Sequence, residues 1–349
     1  MHRSSPRPAA RPAGRWRARA ALTVVALVGL VAACSAPADA PGAEGPTPPD
    51  ATPTTDGAGP DRECPSGAAS TRTVAYRDPV PAGVDPDLVS LDLTLPERSD
   101  PCAPVPVLVY VHGGAFALGD KANGVADKER LARQEGWAFA SVNHRLSPNP
   151  PSSEPDRVRH PTHVEDVAAA VAWLADEGPA LGVDGDRIVL MGHSAGAFLV
   201  TLAGVDLTYL HDAGVSEAQV PCVVSLDTRY DPRTEAADGG LAEVMYRNAF
   251  GDDPAAWDAV SPLRLVRPKQ GTPDMFLVTR GTAARRAATE DFADALRDAR
   301  VPVEVLDARP LDHEGVNAAV GAPGDTVVTP PLVAFLRRCV ATDVPRPKG

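Results

Sequence analysis

From about residue 71 onward, short apolar runs alternate with longer segments in which apolar residues recur every three or four positions. Short apolar or alternating runs indicate strands, and the longer spacing indicates helices. Alternation of the two predicts an α/β domain whose mostly parallel sheet is covered by helices on both faces. The predicted strands are Thr71–Tyr76, Leu88–Leu95, Val105–Val111, Trp137–Asn143, Arg187–Met191, Val220–Leu226, Met275–Thr279 and Val301–Leu306. The first two alternate apolar and polar residues, which favours an antiparallel opening pair.

Three of the predicted helices have a distinct pattern. One begins near Pro161, where Thr162 and Glu165 have the spacing of a capping box. Its apolar face is formed by Val164, Val167, Val171 and Leu174. A second starts at about Thr289 and turns inward Phe292, Ala295 and Leu296. The closing helix is Thr329–Val340.

The N-terminal segment departs from this pattern. Residues 1–34 hold six arginines and then the apolar run 20–33, which is typical of an export signal and too short for a comfortable membrane span. The run ends in Val-Ala-Ala-Cys34, which resembles the lipobox of bacterial lipoproteins, a family in which the cysteine is acylated. We therefore expect an exported protein, held at the cell membrane through a lipid on Cys34, or extracellular if the signal is an ordinary one.

Composition divides the rest of the chain. Residues 35–62 are rich in Pro, Ala and Gly and lack large apolar side chains, so they are predicted to be a disordered tether. The folded domain is predicted to span residues 63–341, followed by a short tail, 342–349. A net charge of -12 disfavours nucleic acid as a partner, because phosphate binding needs a basic surface.

Four cysteines remain after Cys34. An even number in an exported chain indicates disulfides, with three possible pairings. We favour Cys64 with Cys102, which would tie the start of the domain to the loop before the third strand, and Cys222 with Cys339. The sequence contains no C-x-x-C pair, so its cysteines do not suggest a zinc site.

One pentapeptide carries chemistry, Gly192-His193-Ser194-Ala195-Gly196. It lies between the strand that ends at Met191 and a helix-forming run, the context in which G-x-S-x-G presents a nucleophilic serine. The turn also puts the N–H of Ala195 at a helix N-terminus, where an oxyanion can be stabilised. A chance match in a chain rich in Gly and Ala is the alternative.

Four segments together resemble the α/β-hydrolase superfamily, and within it the esterases and lipases whose third strand ends in His-Gly-Gly. They are residues 111–116, residues 142–148, residues 192–196 and His313 after the last strand. The resemblance extends from about Thr71 to Cys339. It implies an α/β-hydrolase fold with an eight-stranded sheet, Ser194 as nucleophile and His313 as base.

The same resemblance implies an oxyanion hole. Its N–H groups would come from Gly113, Gly114 and Ala115 together with Ala195, since two successive glycines let the backbone turn its amides toward the substrate oxygen.

The other histidines have simpler interpretations. His112 and His193 are interpreted as parts of turns in which the peptide matters more than the ring, and His144 as packing or polar support. We assign His160, His163 and His211 to surface or helix-start positions.

The third member of the triad departs from the family pattern. The usual acid follows the seventh strand, where Ala284 stands within the segment 280–285. Some hydrolases of this fold take the acid from the end of the sixth strand, which makes Asp227 the favoured residue. Asp231 and Glu290 remain alternatives.

Other carboxylates receive structural roles. Asp166 is predicted to form an ion pair with Arg145 and brace its loop. No metal-ligand spacing and no nucleotide-binding motif is present in the sequence, so no metal or cofactor is expected.

The predicted function is hydrolysis of a small carboxylic ester through an acyl-enzyme. By analogy, a feruloyl- or acetyl-type ester on a polysaccharide would suit an exported enzyme. One alternative is an amidase or peptidase of the same fold. The other is a hydrolase-fold binding protein that lost activity with Ala284. We expect residues 207–251 to form part of the pocket wall and lid.

Overall fold

The computed structural model describes residues 64–237 and 239–341. The predictions for residues 1–34, the tether 35–62, Cys34 and the tail 342–349 lie outside the described residues. In the described part the strands are β1 Ser70–Ala75, β2 Ser90–Leu95, β3 Val105–Val111, β4 Ala138–Val142, β5 Val183–His193, β6 Cys222–Leu226, β7 Asp274–Thr279 and β8 Val303–Asp307.

Helices connect these strands. The α-helices of the described residues are α1 Ala126–Gln134, α2 Thr162–Asp176, α3 Ala195–Val205, α4 Thr208–Asp212, α5 Pro232–Glu235, α6 Gly240–Phe250, α7 Pro262–Leu265, α8 Ala283–Asp298, α9 His313–Ala319 and α10 Thr329–Cys339. Short 3-10 helices are Pro86–Val89, Gly178–Leu181, Glu217–Gln219 and Ala256–Val260. Among the described helices, none has the length and apolar character needed to cross a membrane.

The strands form one mixed sheet in the order β1-β2-β4-β3-β5-β6-β7-β8. β1 with β2 and β2 with β4 are antiparallel, and the pairings from β4 through β8 are parallel. The predicted antiparallel opening pair is confirmed. The parallel strands bring the carboxyl ends of β3, β5, β6 and β7 to one edge, which is where ligands bind in open α/β sheets.

Helices cover both faces of the sheet, because successive side chains of a strand point to opposite faces. In β3, Val107, Val109 and Val111 pack into the cluster that holds the buried faces of α2, α3 and α8. Leu108 and Tyr110 pack into the other cluster, with α1, α9 and α10. The continuous apolar run of β3 therefore reflects burial on both sides.

Several predicted boundaries were wrong. Helix α8 begins at Ala283 rather than near Thr289, because Thr282 accepts a hydrogen bond from the backbone N of Arg285 (3.2 Å) and caps the helix. Residues 88 and 89 belong to a 3-10 helix before β2, and the strongly charged α1 carried too few apolar positions to be predicted.

The predicted capping box of α2 is also wrong. The helix begins at Thr162, its N-cap is Pro161, and no side chain there makes a capping hydrogen bond. The predicted apolar face is confirmed, because its members are all fully buried: Val164, Val167, Val171 and Leu174. On α8, Phe292 and Leu296 are buried as expected, whereas Ala293 rather than Ala295 completes the buried face.

Three predicted links between distant segments are present. Both favoured disulfides form, Cys64–Cys102 and Cys222–Cys339. Arg145 binds Asp166 through Nη2 to Oδ1 (2.6 Å) and Nε to Oδ2 (2.7 Å). Arg77, which the sequence did not single out, binds the same carboxylate at 2.8 Å. This fully buried carboxylate thus joins α2 to the loops after β1 and β4.

Candidate active site

Ser194 stands between the end of β5 and the start of α3, with φ 55° and ψ -119°. The chain turns so tightly that a Cβ at Gly192 would lie 2.4 Å from the backbone of Gly196, and one at Gly196 would lie 2.1 Å from the Val111 carbonyl. The N–H of Ser194 donates to the Leu226 carbonyl on β6 (3.0 Å). The two elbow glycines are therefore sterically required, and the serine is held at the carboxyl edge of the sheet.

His313 is the first residue of α9, whose N-cap, Asp312, accepts a hydrogen bond from the N of Gly315 (2.7 Å). Its Nε2 lies 2.9 Å from the Ser194 Oγ, and its Nδ1 lies 2.6 Å from Oδ2 of Asp227. This order of hydroxyl, imidazole and carboxylate can draw a proton from the hydroxyl and stabilise the imidazolium that results.

Asp227 follows β6 directly and has a positive φ of 51°. Its side chain is 1% exposed. Burial by itself would raise the pKa of this carboxyl, but hydrogen bonds and charge from His313, Arg285 and Arg280 outweigh burial and lower the pKa to about 2. The carboxylate is therefore ionised at neutral pH.

Two arginines that the sequence reasoning did not assign hold this carboxylate. The Nε of Arg280 lies 2.5 Å from Oδ2, and Arg285 contacts Oδ1 through Nε (2.8 Å) and Nη2 (2.7 Å). They flank the segment 280–285 in which the usual family acid is missing. The signal was present in the sequence: an arginine at each end of a segment that lacks its expected carboxylate.

A turn after β3 lies against the serine, because a Cβ at Gly113 would be 3.0 Å from the Ser194 Cβ. Gly114 has φ +122°, and Ala115, which has φ 54°, adopts a conformation that is uncommon outside glycine. The turn closes with the N of Leu118 donating to the Gly114 carbonyl (2.9 Å). Backbone strain in a non-glycine residue beside a nucleophile is typical of functional sites.

The histidine rings of the two turns, in which the peptide was expected to matter more than the ring, also have specific partners. Nε2 of His193 binds the His313 carbonyl (3.0 Å), and Nδ1 of His112 binds the Gly113 carbonyl (2.7 Å). Burial lowers the pKa of His193 to about 4. His144 is buried and stacks on the His112 ring at 4.8 Å, in agreement with a packing role.

The alternative acids have other partners. Asp231 caps α5 and binds Nη2 of Arg264 (3.0 Å). Glu290 is exposed on α8 and binds Arg297 (3.1 Å). Ala284 lies on the exposed part of the first turn of α8.

A cavity of about 250 Å³ opens at Ser194 and His313. One wall is apolar and aromatic, with Phe116 and Phe198 in edge-to-face contact at 5.7 Å and Tyr246 beside Phe198. Met245 and Tyr246 come from α6, so part of the predicted wall segment 207–251 does line the cavity. Its volume suits a substrate of modest size.

Among the residues that the structure describes, one group of three potential metal ligands comes together. It consists of His193, His313 and Glu314, whose ligand atoms lie within 4.8 Å of one another. Both ring nitrogens of His313 already have partners, Ser194 and Asp227, so a cation at this point would compete with those two hydrogen bonds.

Comparison with known proteins gives one family and several relatives. The BD-FAE family pattern matches residues 91–282, a segment that includes Ser194 and Asp227 and ends before His313. Esterase LipC of Mycobacterium tuberculosis is 31% identical over 250 residues. That alignment covers 68% of this chain and 55% of LipC, so the chain spans about half the length of this curated relative.

Solved structures with the same fold include esterases. Esterase B from Lactobacillus rhamnosis superposes with a TM-score of 0.62 at 21% identity, covering 80% of this chain and 88% of that one. A truncated carbohydrate esterase from gut microbiota gives 0.62 at 18% identity, covering 80% and 99%. These likenesses confirm the predicted α/β-hydrolase fold, with the refinement that the sheet is mixed.

Proposed function

The chain belongs to the BD-FAE family, and from that premise we propose that it is a carboxylic ester hydrolase that uses Ser194 as its nucleophile. The observation that carries the proposal is the unbroken series of two hydrogen bonds, from the Ser194 Oγ to His313 (2.9 Å) and from His313 to Asp227 (2.6 Å). The esterase activity of LipC supports the same conclusion.

The proposed reaction has two halves. Nε2 of His313 takes the proton from the Ser194 hydroxyl as Oγ attacks the ester carbonyl carbon. The N–H groups of Gly114, Ala115 and Ala195, with Gly113 shaping the turn, stabilise the oxyanion. The imidazolium gives its proton to the departing alcohol, and an acyl-enzyme remains.

Water completes the second half. His313 removes a proton from the water, whose oxygen attacks the acyl carbon, and the same proton returns to the Ser194 Oγ as the carboxylic acid leaves. Asp227 keeps Nδ1 protonated and stabilises the transient imidazolium throughout. The two arginines hold this carboxylate in the required place.

The test uses the purified folded domain, 4-nitrophenyl butyrate and an alkyl phosphonate. We expect turnover by the wild type and labelling of Ser194 by one phosphonate per chain. Ser194→Ala should reduce kcat by about 10⁴-fold or more and abolish labelling. A folded wild type that neither turns over esters nor reacts with the phosphonate would instead favour a binding protein of hydrolase fold, and turnover of amides above their matched esters would favour an amidase.

We extend the proposal to an ester linked to a polysaccharide. The fold that the chain shares with a carbohydrate esterase supports it. Release of acetate from acetylated xylan, compared with release from 4-nitrophenyl acetate, tests it. Release from the small ester alone would contradict a polysaccharide substrate.

We also propose export and a lipid anchor on Cys34. Support comes from the two disulfides of the described domain, because such bonds persist in oxidising compartments. Expression of the full chain with radiolabelled palmitate should label the wild type and not Cys34→Ser. Equal labelling of both would contradict the anchor, and recovery of the chain in the cytoplasm would contradict export.

A further inference from the structure

One wall of the cavity at Ser194 is cationic. Three arginines line it, Arg229, Arg280 and Arg285, against two carboxylates, Asp227 and Glu235. The cavity therefore has an excess of positive side chains in a chain whose net charge is -12. Such a local reversal of charge points to a negatively charged ligand, because a concave site concentrates the field of its lining charges.

Arg280 keeps unused donors. Its guanidinium binds Asp227 through Nε only, and within residues 64–237 and 239–341 no hydrogen bond engages its Nη1 or Nη2. The Asp227 side chain is 1% exposed, whereas that of Arg280 is 21% exposed. The carboxylate thus binds one edge of the guanidinium, and the side chain that carries the remaining N–H groups is partly exposed and lines the cavity.

These donors lie close to the reacting atoms. Nε of Arg280 and Nδ1 of His313 bind the same oxygen of Asp227, at 2.5 and 2.6 Å. His313 in turn contacts the Ser194 Oγ. A group bound by Arg280 therefore belongs to the same small substrate whose carbonyl meets the serine, rather than to a remote surface.

The same cavity also has an apolar lining. Phe116, Phe198 and Tyr246 line it together with the arginines, and its volume of about 250 Å³ leaves room for a short substrate. We propose that the enzyme selects esters that carry a carboxylate a few bonds from the scissile carbonyl, with Arg280 as the residue that binds it. This inference rests on the proposed esterase function and names its substrate class.

A planar guanidinium suits a carboxylate because its two N–H groups match the two oxygens. The carboxylate belongs either to the acyl group, as in a half-ester of a dicarboxylic acid, or to the alcohol, as in an acylated hydroxy acid. The chemistry of recognition is the same in both, so the test includes one substrate pair for each.

The competing explanation is that both arginines only brace Asp227. A brace would act on every substrate alike, because it changes the triad and not the contacts with the leaving or acyl group. Charge recognition would instead change the kcat/KM of a carboxylate ester relative to that of its neutral isostere. The ratio of kcat/KM values therefore separates the two roles.

The experiment measures acid release at pH 7 from two matched pairs. The acyl pair is monoethyl glutarate with ethyl 4-carbamoylbutanoate, and the alcohol pair is 4-acetoxybenzoate with 4-acetoxybenzamide. We expect the wild type to prefer the carboxylate in one pair by about tenfold or more. Arg280→Gln should reduce that preference about tenfold. Arg280→Lys, which keeps the charge but loses the paired N–H groups, should keep only part of it, and Arg297→Gln, at an exposed arginine on α8, should keep all of it.

A wild-type ratio near one in both pairs would overturn the inference, and so would an Arg280→Gln variant that loses equal activity on both members of the preferred pair. Either result leaves ester hydrolysis intact. Failure of the proposed function is a different result, namely no turnover of any of the four esters by folded wild-type protein.

Discussion

At the scale of single residues, the Asp227 carboxylate is shared by three side chains. Its Oδ2 accepts from His313 and Arg280, and its Oδ1 accepts from Arg285. A buried carboxylate with this many donors stays ionised, which is the state that supports the imidazolium during turnover.

The first prediction concerns this residue. Asp227→Asn should lower kcat for 4-nitrophenyl butyrate by about 10⁴-fold, because the amide can no longer hold His313 in the required tautomer. Steady-state kinetics on the folded variant provide the measurement. Glu290→Gln, which removes an exposed carboxylate on α8, is the matched control and should stay within about threefold of the wild type. Wild-type activity of Asp227→Asn would assign the acid to another residue.

At the scale of elements, two turns are pressed together at the carboxyl edge of the sheet. The elbow that holds Ser194 leaves no space for a side chain at Gly192 or Gly196, and the turn after β3 approaches it through Gly113. Glycine is required at positions 192 and 196 because neighbouring backbone occupies the volume that a Cβ would fill.

The second prediction tests the turn after β3. Gly114→Ala would put a Cβ 2.1 Å from the Leu118 carbonyl at a φ of +122°, so the turn must shift and its amides with it. We expect kcat to fall about 100-fold or more and the melting temperature to fall as well. Gly83→Ala is the control, because it has φ +78° but no atom within 4 Å of its Cβ.

The control should cost about 1 kcal/mol of stability and leave kcat unchanged. Equal kcat values for the two variants, measured on folded protein by circular dichroism and kinetics, would show that the turn plays no part in catalysis.

Another link between elements is the buried carboxylate of α2. Asp166 is bound by Arg77 and Arg145, which belong to loops that follow β1 and β4. Neither ion pair lies between residues close in sequence, so together they fix how α2 packs beside the antiparallel part of the sheet.

The third prediction concerns that carboxylate. Asp166→Ala should lower the free energy of unfolding by about 3 kcal/mol, because two partly buried guanidinium groups lose their partner. Glu165→Ala, the exposed neighbour on the same helix, should change it by less than about 0.5 kcal/mol. Urea unfolding at pH 7 measures both. Equally small losses of unfolding free energy in the two variants would mean that water replaces Asp166 as the hydrogen-bond partner of the two arginines.

At the scale of the whole molecule, several histidines are buried in the neutral state. His112, His144 and His163 form a continuous ring cluster behind the turn after β3. Burial, the largest cause for each, lowers the pKa of all three, that of His163 to about 4. In an unfolded chain these rings would titrate near 6.5.

The fourth prediction follows from this difference. Between pH 6.5 and 4 the unfolded chain binds a proton at His163 that the folded chain does not, so stability must fall as the pH falls through this range. Through this fully buried ring, the free energy of unfolding at pH 4 is lower by about 3 kcal/mol than at neutral pH. Urea unfolding of His163→Gln at pH 7, 5.5 and 4 should show a correspondingly shallower slope than the wild type.

The exposed His211 offers the matched variant. His211→Gln removes a ring that is about half exposed, and its slope should differ from that of the wild type by less than the slope of His163→Gln does. A His163→Gln variant with the slope of the wild type would mean that other groups carry the acid sensitivity.

Much of the fold could be predicted from local patterns. The apolar run of β3 and the spacing of Val164, Val167, Val171 and Leu174 reflect burial directly, because periodicity records which face meets the core. Boundaries were less predictable. Pro161 rather than Thr162 caps α2, and α8 starts about six residues early, since caps depend on hydrogen bonds that composition does not reveal.

For the site, the sequence by itself determined three elements, each encoded by its own short segment. They are the elbow around Ser194, the glycine turn after β3 and the histidine after the last strand. Each is a local conformation that demands particular residues at fixed spacing. The tertiary structure alone decided which carboxylate reaches His313 and that Arg280 shares it. Those contacts join residues 86 and 53 positions apart, and only the packing of parallel strands side by side brings their ends to one edge.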